Sequence, residues 1–304
     1  MDFLASQSSS EFSSVESESE DPLAQLAKEV TQQPFTNNKH FHKSLECHQR
    51  ALQQDQTRDQ YLVFTSVPPK QLSKLSSEWS RTSKSSRFFT NAETRILIVK
   101  FMPGPAHELA IRRFDLLISL ELRAMNVDND MSSLGSTTVT VGNWTKEADC
   151  CWAPASPNVR LSFVVEVGLS ESARKLALDA RGWLETYSSP VKLVVTISIN
   201  RDTPEIILHR WELAPPQGYR VITRSGSIPA RRTAFLKLSR TNNTTSVTGE
   251  SDRNGTTTTT TQLDLPFDKI VGRPPHQPLE RDLMITEHEL RRFAEDIWIH
   301  QSFL

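Results

Sequence analysis

The chain of 304 residues carries 35 basic and 36 acidic side chains, a net charge of −1, so bulk electrostatics makes no case for nucleic acid, membrane or acidic ligands. Its three cysteines, two of them adjacent at Cys150 and Cys151, form neither a disulfide framework nor a metal-type Cys/His spacing. The start MDFLASQSSSEF is unlike a secretory signal and no apolar stretch reaches the ~20 residues that span a bilayer, so a soluble, intracellular protein, nuclear or cytoplasmic, is expected.

Residues 1–21 are Ser/Glu-rich and too poor in apolar side chains to order themselves. Residues 22–60, rich in Gln, Asn, Lys and His, read as one or two weak helices, so 1–60 is expected to be mostly disordered. YLVFTSV (61–67) reads as an edge strand closed by Pro68 and Pro69, and opens a folded domain expected to run to residue 240. The stretch 70–90 reads as loop or short helix. RILIVKFM (95–102) is a strand stopped by Pro103, Gly104 and Pro105.

HELAIRRFDLLISLELRAM (107–125) is the longest helix signal, and its apolar positions spread so widely that it is expected to be covered on more than one side. His107 at its start reads as a surface residue. STTVTVGNW (136–144), ADCCWAP (148–154) and RLSFVVEV (160–167) read as three strands. Over 170–188, Ala173, Leu176, Ala177, Ala180, Trp183, Leu184 and Tyr187 fall on one helical stripe, with Ser170 or Ser172 placed to cap it. VKLVVTISI (191–199) and EIILHRWEL (205–213) are strands around a turn at 200–204. The Thr-rich tract 241–262 reads as a low-complexity loop. Residues 263–304 are expected to supply a strand, LPFDKIVG (265–272), and a final helix opened by a capping box from Thr286 to Glu289, both packing back on the core.

The order helix, three strands, helix, two strands implies an α/β fold, with a mixed central sheet flanked by helices. A right-handed crossover places the end of the central strand beside the start of the second helix. At that point FVVEVGLSES (163–172) carries Glu166 inside an apolar strand. A buried carboxylate needs a cation, hydrogen bonds or a proton.

With GPAHE (104–108), KEAD (146–149), FVVEVGLSES (163–172) and the Trp211-Glu212 pair, the chain resembles the PD-(D/E)XK nuclease-like superfamily, whose restriction-endonuclease-like core runs αβββαβ. The resemblance spans about residues 95–213, is closest to uncharacterised fungal members, and extends more distantly to bacterial Uma-type proteins. It implies that Asp149 and Glu166 ligate Mg²⁺ and act in phosphodiester hydrolysis on DNA, with Glu108 as a third carboxylate. Mg²⁺ is a hard ion that takes such oxygen ligands and activates water.

Two positions depart from the family pattern. Ala148 replaces the usual proline, and Gly168 stands where the family lysine would orient water. Lys175 or Arg174 on the following helix are the substitute cations, although each lies about 130° from the centre of the apolar stripe. An inactive nuclease-fold module that binds protein or nucleic acid is therefore the alternative. The run Arg220, Arg224, Arg231, Arg232, Lys237 and Arg240, with no acid between its members, is the candidate phosphate-tracking patch. A Ser or Cys hydrolase is disfavoured, because no nucleophile elbow is present.

Overall fold

The structure, a computed structural model, describes residues 21–72, 74–75, 86–102, 104–156, 160–169, 173–215, 228–253 and 255–304. The chain opens with α1 (Pro22–Lys28), β1 (Gln32–Pro34) and α2 (Asn38–Gln53). These residues are ordered rather than weakly helical because both helices have built starts. The Asp21 carboxylate accepts from Leu23 N–H at 2.9 Å with Pro22 at the first position, and the Asn37 side chain accepts from His40 N–H. Phe41, Leu45 and Leu52 give α2 one buried face.

There follow β2 (Tyr61–Thr65), β3 (Ser86–Asn91), β4 (Ile96–Phe101), α3 (Pro105–Ala124) and β5 (Met131–Gly135). Next come β6 (Thr138–Val141), β7 (Trp144–Glu147), β8 (Cys150–Pro154), β9 (Phe163–Leu169), α4 (Ala173–Leu184), β10 (Leu193–Ile199) and β11 (Glu205–Leu213). The chain closes with β12 (Ala230–Thr241), β13 (Thr244–Arg253), β14 (Thr256–Thr260), β15 (Leu263–Leu265), α5 (Phe267–Val271), β16 (Leu283–Ile285) and α6 (Glu287–His300).

Two sheets dominate. One has the order β14-β13-β12-β11-β10-β9-β8-β5, with β9 and β10 parallel and the other pairs antiparallel. It contains the αβββαβ order expected from the sequence, as α3, β5, β8, β9, α4 and β10. The other sheet runs β1-β2-β4-β3-β7-β6.

Alternation along the strands sorts their side chains between layers. Phe163, Val165 and Val167 of β9 pack with α3 and α6 on one side of the large sheet. Val164 packs with Ala180 and Trp183 of α4 on the other. Beyond α4 lies the smaller sheet, where Phe89, Ile98 and Trp144 pack with Leu178 of α4 and Leu23 of α1. Its far face, with Phe64, Leu97 and Val99, is covered by α2. Helix α4 is thus sandwiched between sheets, and Glu166, two residues from Val164, points into that middle layer.

Several elements differ from the sequence reading. YLVFT is not an edge strand, because β1 pairs outside it. STTVTVGNW splits at Gly142, whose φ of 57° turns it into the β6–β7 hairpin of the smaller sheet. The first strand of the αβββαβ unit is instead β5, MSSLG, whose composition carries no strand alternation. The tract 241–262 is not a loop. It folds into the β12–β13–β14 meander, where β-branched threonines suit an exposed edge strand. LPFDKIVG contains the short helix α5, ended by Gly272 at φ 82°. Residues 1–20, Ser170 and Ser172 lie outside the described residues. No helix among the described residues is long and apolar enough to cross a membrane.

The docking of α1 on α4 is tight at Gly182. A Cβ there would meet Leu23 Cγ and Cδ2 at 2.6 Å. Gly182→Ala gains about 1 kcal/mol of helix propensity but overpacks this contact by about 1–3 kcal/mol. The expected result is a lower urea midpoint and faster proteolytic cleavage near residues 22–36. A midpoint at or above that of the parent protein would show that the contact yields freely.

Candidate functional site

The middle layer holds a cluster of charged side chains, all without solvent exposure: Lys100 of β4, Lys146 of β7, Asp149 just before β8, Glu166 of β9 and Asp179 of α4. The Lys100 ammonium donates to Asp149 Oδ2 at 2.9 Å and to Glu166 Oε2 at 2.6 Å, and lies 3.4 Å from Asp179 Oδ2. The remaining Glu166 oxygen, Oε1, accepts from the Trp183 indole at 2.7 Å. Glu166 therefore meets both a cation and a hydrogen-bond donor inside its apolar strand.

Asp149 Oδ2 also accepts from Val167 N–H at 2.9 Å. His107 Nε2 lies 3.1 Å from Val167 O and 3.4 Å from Asp149 Oδ2. Both neighbours are acceptors, which assigns the proton to Nε2. His107 is thus a buried positioning residue rather than a surface one. Lys146 donates to Asp179 Oδ1 at 2.7 Å, with its ammonium 4.2 Å from the Trp183 ring centroid. Arg87 Nη1 lies 3.4 Å from Glu147 Oε1, and its Nε lies 3.8 Å from Asp149 Oδ1.

The C-terminal end of β9 is closed. Gln60 accepts from Leu169 N–H at 2.8 Å and donates to Phe101 O at 2.8 Å, tying the end of β9 to the end of β4.

Of the residues expected from the sequence, Asp149 and Glu166 come together and the others do not join them. Glu108, 46% exposed, has its carboxylate 4.0 Å from His107 Nδ1. Lys175 pairs with Asp59 at 2.7 Å and Arg174 with Glu29 at 2.6 Å, so both bind the N-terminal layer to α4. Lys100, Lys146, Asp179 and Trp183 were not identified as site residues. The signal for Lys100 was the same as for Glu166, a charge inside an apolar strand.

The basic run of β12 is also compensated from neighbouring elements. Arg231 pairs with Asp252, Lys237 with Glu205 and Arg240 with Glu295, while Arg232 lies over the Trp211 ring. Arg220 and Arg224 lie outside the described residues.

The donor set does not suit Mg²⁺, which takes near-octahedral oxygen ligands and keeps several waters. Three of the four oxygens of Asp149 and Glu166 already accept from N–H donors. The fourth, Asp149 Oδ1, is buried without a hydrogen bond and faces Arg87. Among the described residues no group of three or more His, Cys, Asp or Glu side chains is arranged to hold a metal ion. A thiol nucleophile is also disfavoured, since burial pushes Cys151 up to about 12 and Cys150 higher still.

Three carboxylates face two lysines in the cluster, one negative charge in excess. Burial alone would raise Asp149, but Lys100, His107 and Arg87 outweigh it and hold the carboxyl well below its ordinary range. At Glu166, burial and then the Asp179 charge push the carboxyl well above its ordinary range, against the pull of Lys100.

No protein-family model matches the chain, and no curated protein matches it. Among solved structures it is similar to a candidate nuclease of the DUF820 group from Anabaena variabilis. The identity is 13%, covering 46% of this chain and 79% of that one, with a TM-score of 0.30, a likeness too distant to carry a function.

Removing one partner of a buried ion pair leaves its mate uncompensated, so Lys100→Met is expected to destabilise the fold by about 3–5 kcal/mol, measured by denaturant unfolding. A loss below about 1 kcal/mol would mean that the cluster contributes little. The pH dependence has two arms. Stability from Asp149 is present above the ordinary aspartate range and is lost as pH falls toward its depressed value. Stability from Glu166 is full below the ordinary glutamate range and is lost as pH rises toward its raised value. Melting temperature is therefore expected to decline as pH rises above the ordinary glutamate range, and Glu166→Gln, which cannot titrate, should flatten that decline. An unchanged slope in the variant would assign the effect to other groups.

Proposed function

We propose that the chain is a nuclease-like α/β module that binds rather than cuts, with Lys100 filling the place where a cutting relative would hold its metal. The observation that carries this reading is the Lys100 ammonium between Asp149 and Glu166, without solvent exposure. Three further features support it. Gln60 seals the strand end where a phosphodiester would have to approach. Lys175 and Arg174 are engaged with Asp59 and Glu29, away from the carboxylates. Of the β12 cations expected to track a nucleic-acid backbone, Arg231, Lys237 and Arg240 are paired with acids.

A second reading rests on the same ammonium. Lys100 contacts both motif carboxylates and would take in space the role of the lysine missing at Gly168. In that reading the domain is a Mg²⁺-dependent nuclease acting on DNA. Asp149 and Glu166 would hold the metal, and Lys100 would position the attacking water and counter developing phosphoryl charge. Activity would then require the layer formed by residues 22–101 to separate from β9.

Supercoiled plasmid incubated with the purified chain and Mg²⁺ or Mn²⁺ separates the two. The binding module is expected to give no metal-dependent nicking, and neither ion should raise the melting temperature, because a ligand that finds no native site does not stabilise. Nicking that disappears in both Asp149→Asn and Glu166→Gln would overturn the non-cutting reading.

A further inference from the structure

A concavity lies at the end of β9 and β10 where these strands begin. It is a cleft of about 690 Å³, within the roughly 300–1,000 Å³ usual for small-molecule sites. Arg160, Lys192 and Lys269 line it, and no carboxylate or aromatic side chain does. Unlike most of the β12 cations, none of the three has a carboxylate partner among the described residues. Ser162, four residues before Glu166, places the cleft roughly 13 Å along the strand from the ionic cluster.

Lys192 and Lys269 stand on separate segments that Ser162 ties together, and Arg160 lies two residues before Ser162. Lys192 N–H donates to Ser162 O at 2.8 Å, and the Ser162 hydroxyl donates to Ile270 O, next to Lys269, at 2.5 Å. Ser162 N–H in turn donates to Trp152 O at 3.0 Å. The backbone of the cleft beside Lys192 and Lys269 is therefore held by hydrogen bonds to Ser162.

We infer that this cleft binds a small phosphate-bearing ligand, with Arg160, Lys192 and Lys269 as its charge partners. Three unopposed cations around one concavity suit two or more negative charges on a compact group. Lysine serves phosphate as a point charge, and arginine as a fork of donors. A nucleic-acid strand is the less favoured occupant. The cations ring a single cavity rather than forming a stripe, and no aromatic ring is present to stack a base.

Calorimetric titration of the full chain at low salt with inorganic pyrophosphate, ADP and inorganic phosphate tests the assignment. Saturable binding of pyrophosphate or ADP is expected, with phosphate weaker. Tighter binding of ADP than of pyrophosphate would identify a nucleoside phosphate, and equal binding would identify the diphosphate group alone. Lys192→Ala and Lys269→Ala should each weaken binding by about tenfold, the loss of one charge-assisted contact. The double charge reversal K192E/K269E should abolish it with the melting temperature preserved, since Lys192 is exposed and Lys269 only half-buried. No heat with any of the three ligands at millimolar concentration overturns the inference, as does binding indifferent to these substitutions. Binding of a short DNA duplex that pyrophosphate cannot displace overturns it too, and would assign the cleft to nucleic acid.

Discussion

The structure depends on one ammonium group. Lys100 leaves the smaller sheet and ends among three carboxylates, two from the larger sheet and its approach and one from the helix between them. The charges are divided by layer. Both lysines come from strands of the smaller sheet, and Asp149 and Glu166 belong to the larger. Moving any of these ions from water into the interior costs several kcal/mol unless its partners are present. The ion pairs therefore do less to add net stability than to forbid any other seating of one sheet on the other. A slip of one residue in β4 would turn Lys100 to the α2 side and take the ammonium from all three carboxylates.

This arrangement inverts the usual use of an α/β sheet, in which ligands sit beyond the carboxyl ends of parallel strands. Here the carboxyl end of β9 is closed by Gln60 and the layer that carries it, whereas the amino ends of β9 and β10 border an open basic cleft. The two ends also differ in electrostatics. The closed end sets three carboxylates against two lysines, and the cleft presents cations without a carboxylate partner among the described residues. A chain with a formal charge of only −1 thus separates its charges strongly along one strand.

Much of the αβββαβ unit was legible because its signals are local. Apolar runs with β-branched residues marked β9, β10 and β11, and a helical stripe marked α4. Asp149 and Glu166 were legible as a pair only through resemblance to a family, and Glu166 also because a carboxylate in FVVEVGL demands a partner. The partner was hidden by distance. Lys100 lies 66 residues away, in a sheet whose existence depends on β1, β2 and β3 pairing around β4. The absence of apolar alternation hid β5, which is ordered by pairing with β8. The threonine run looked like low complexity because composition does not reveal that β13 offers an edge to pair with. Lys175 and Arg174 misled for the opposite reason. Their position at the rim of α4 was read correctly, but the acids that claim them, Asp59 and Glu29, lie in segments that seemed unable to fold.

The tie from Gln60 to Leu169 makes the segment before Pro105 part of the layer packed on the αβββαβ unit. A fragment cut at Pro105 would retain every helix and strand of the nuclease-like pattern. It would also lose the Lys100 ammonium from Asp149, Glu166 and Asp179, keeping only Lys146 on Asp179, and strip α1 from one side of α4. The segment before Pro105 thus supplies the Lys100 counter-ion of the interior and, through Gln60, the tie to the end of β9.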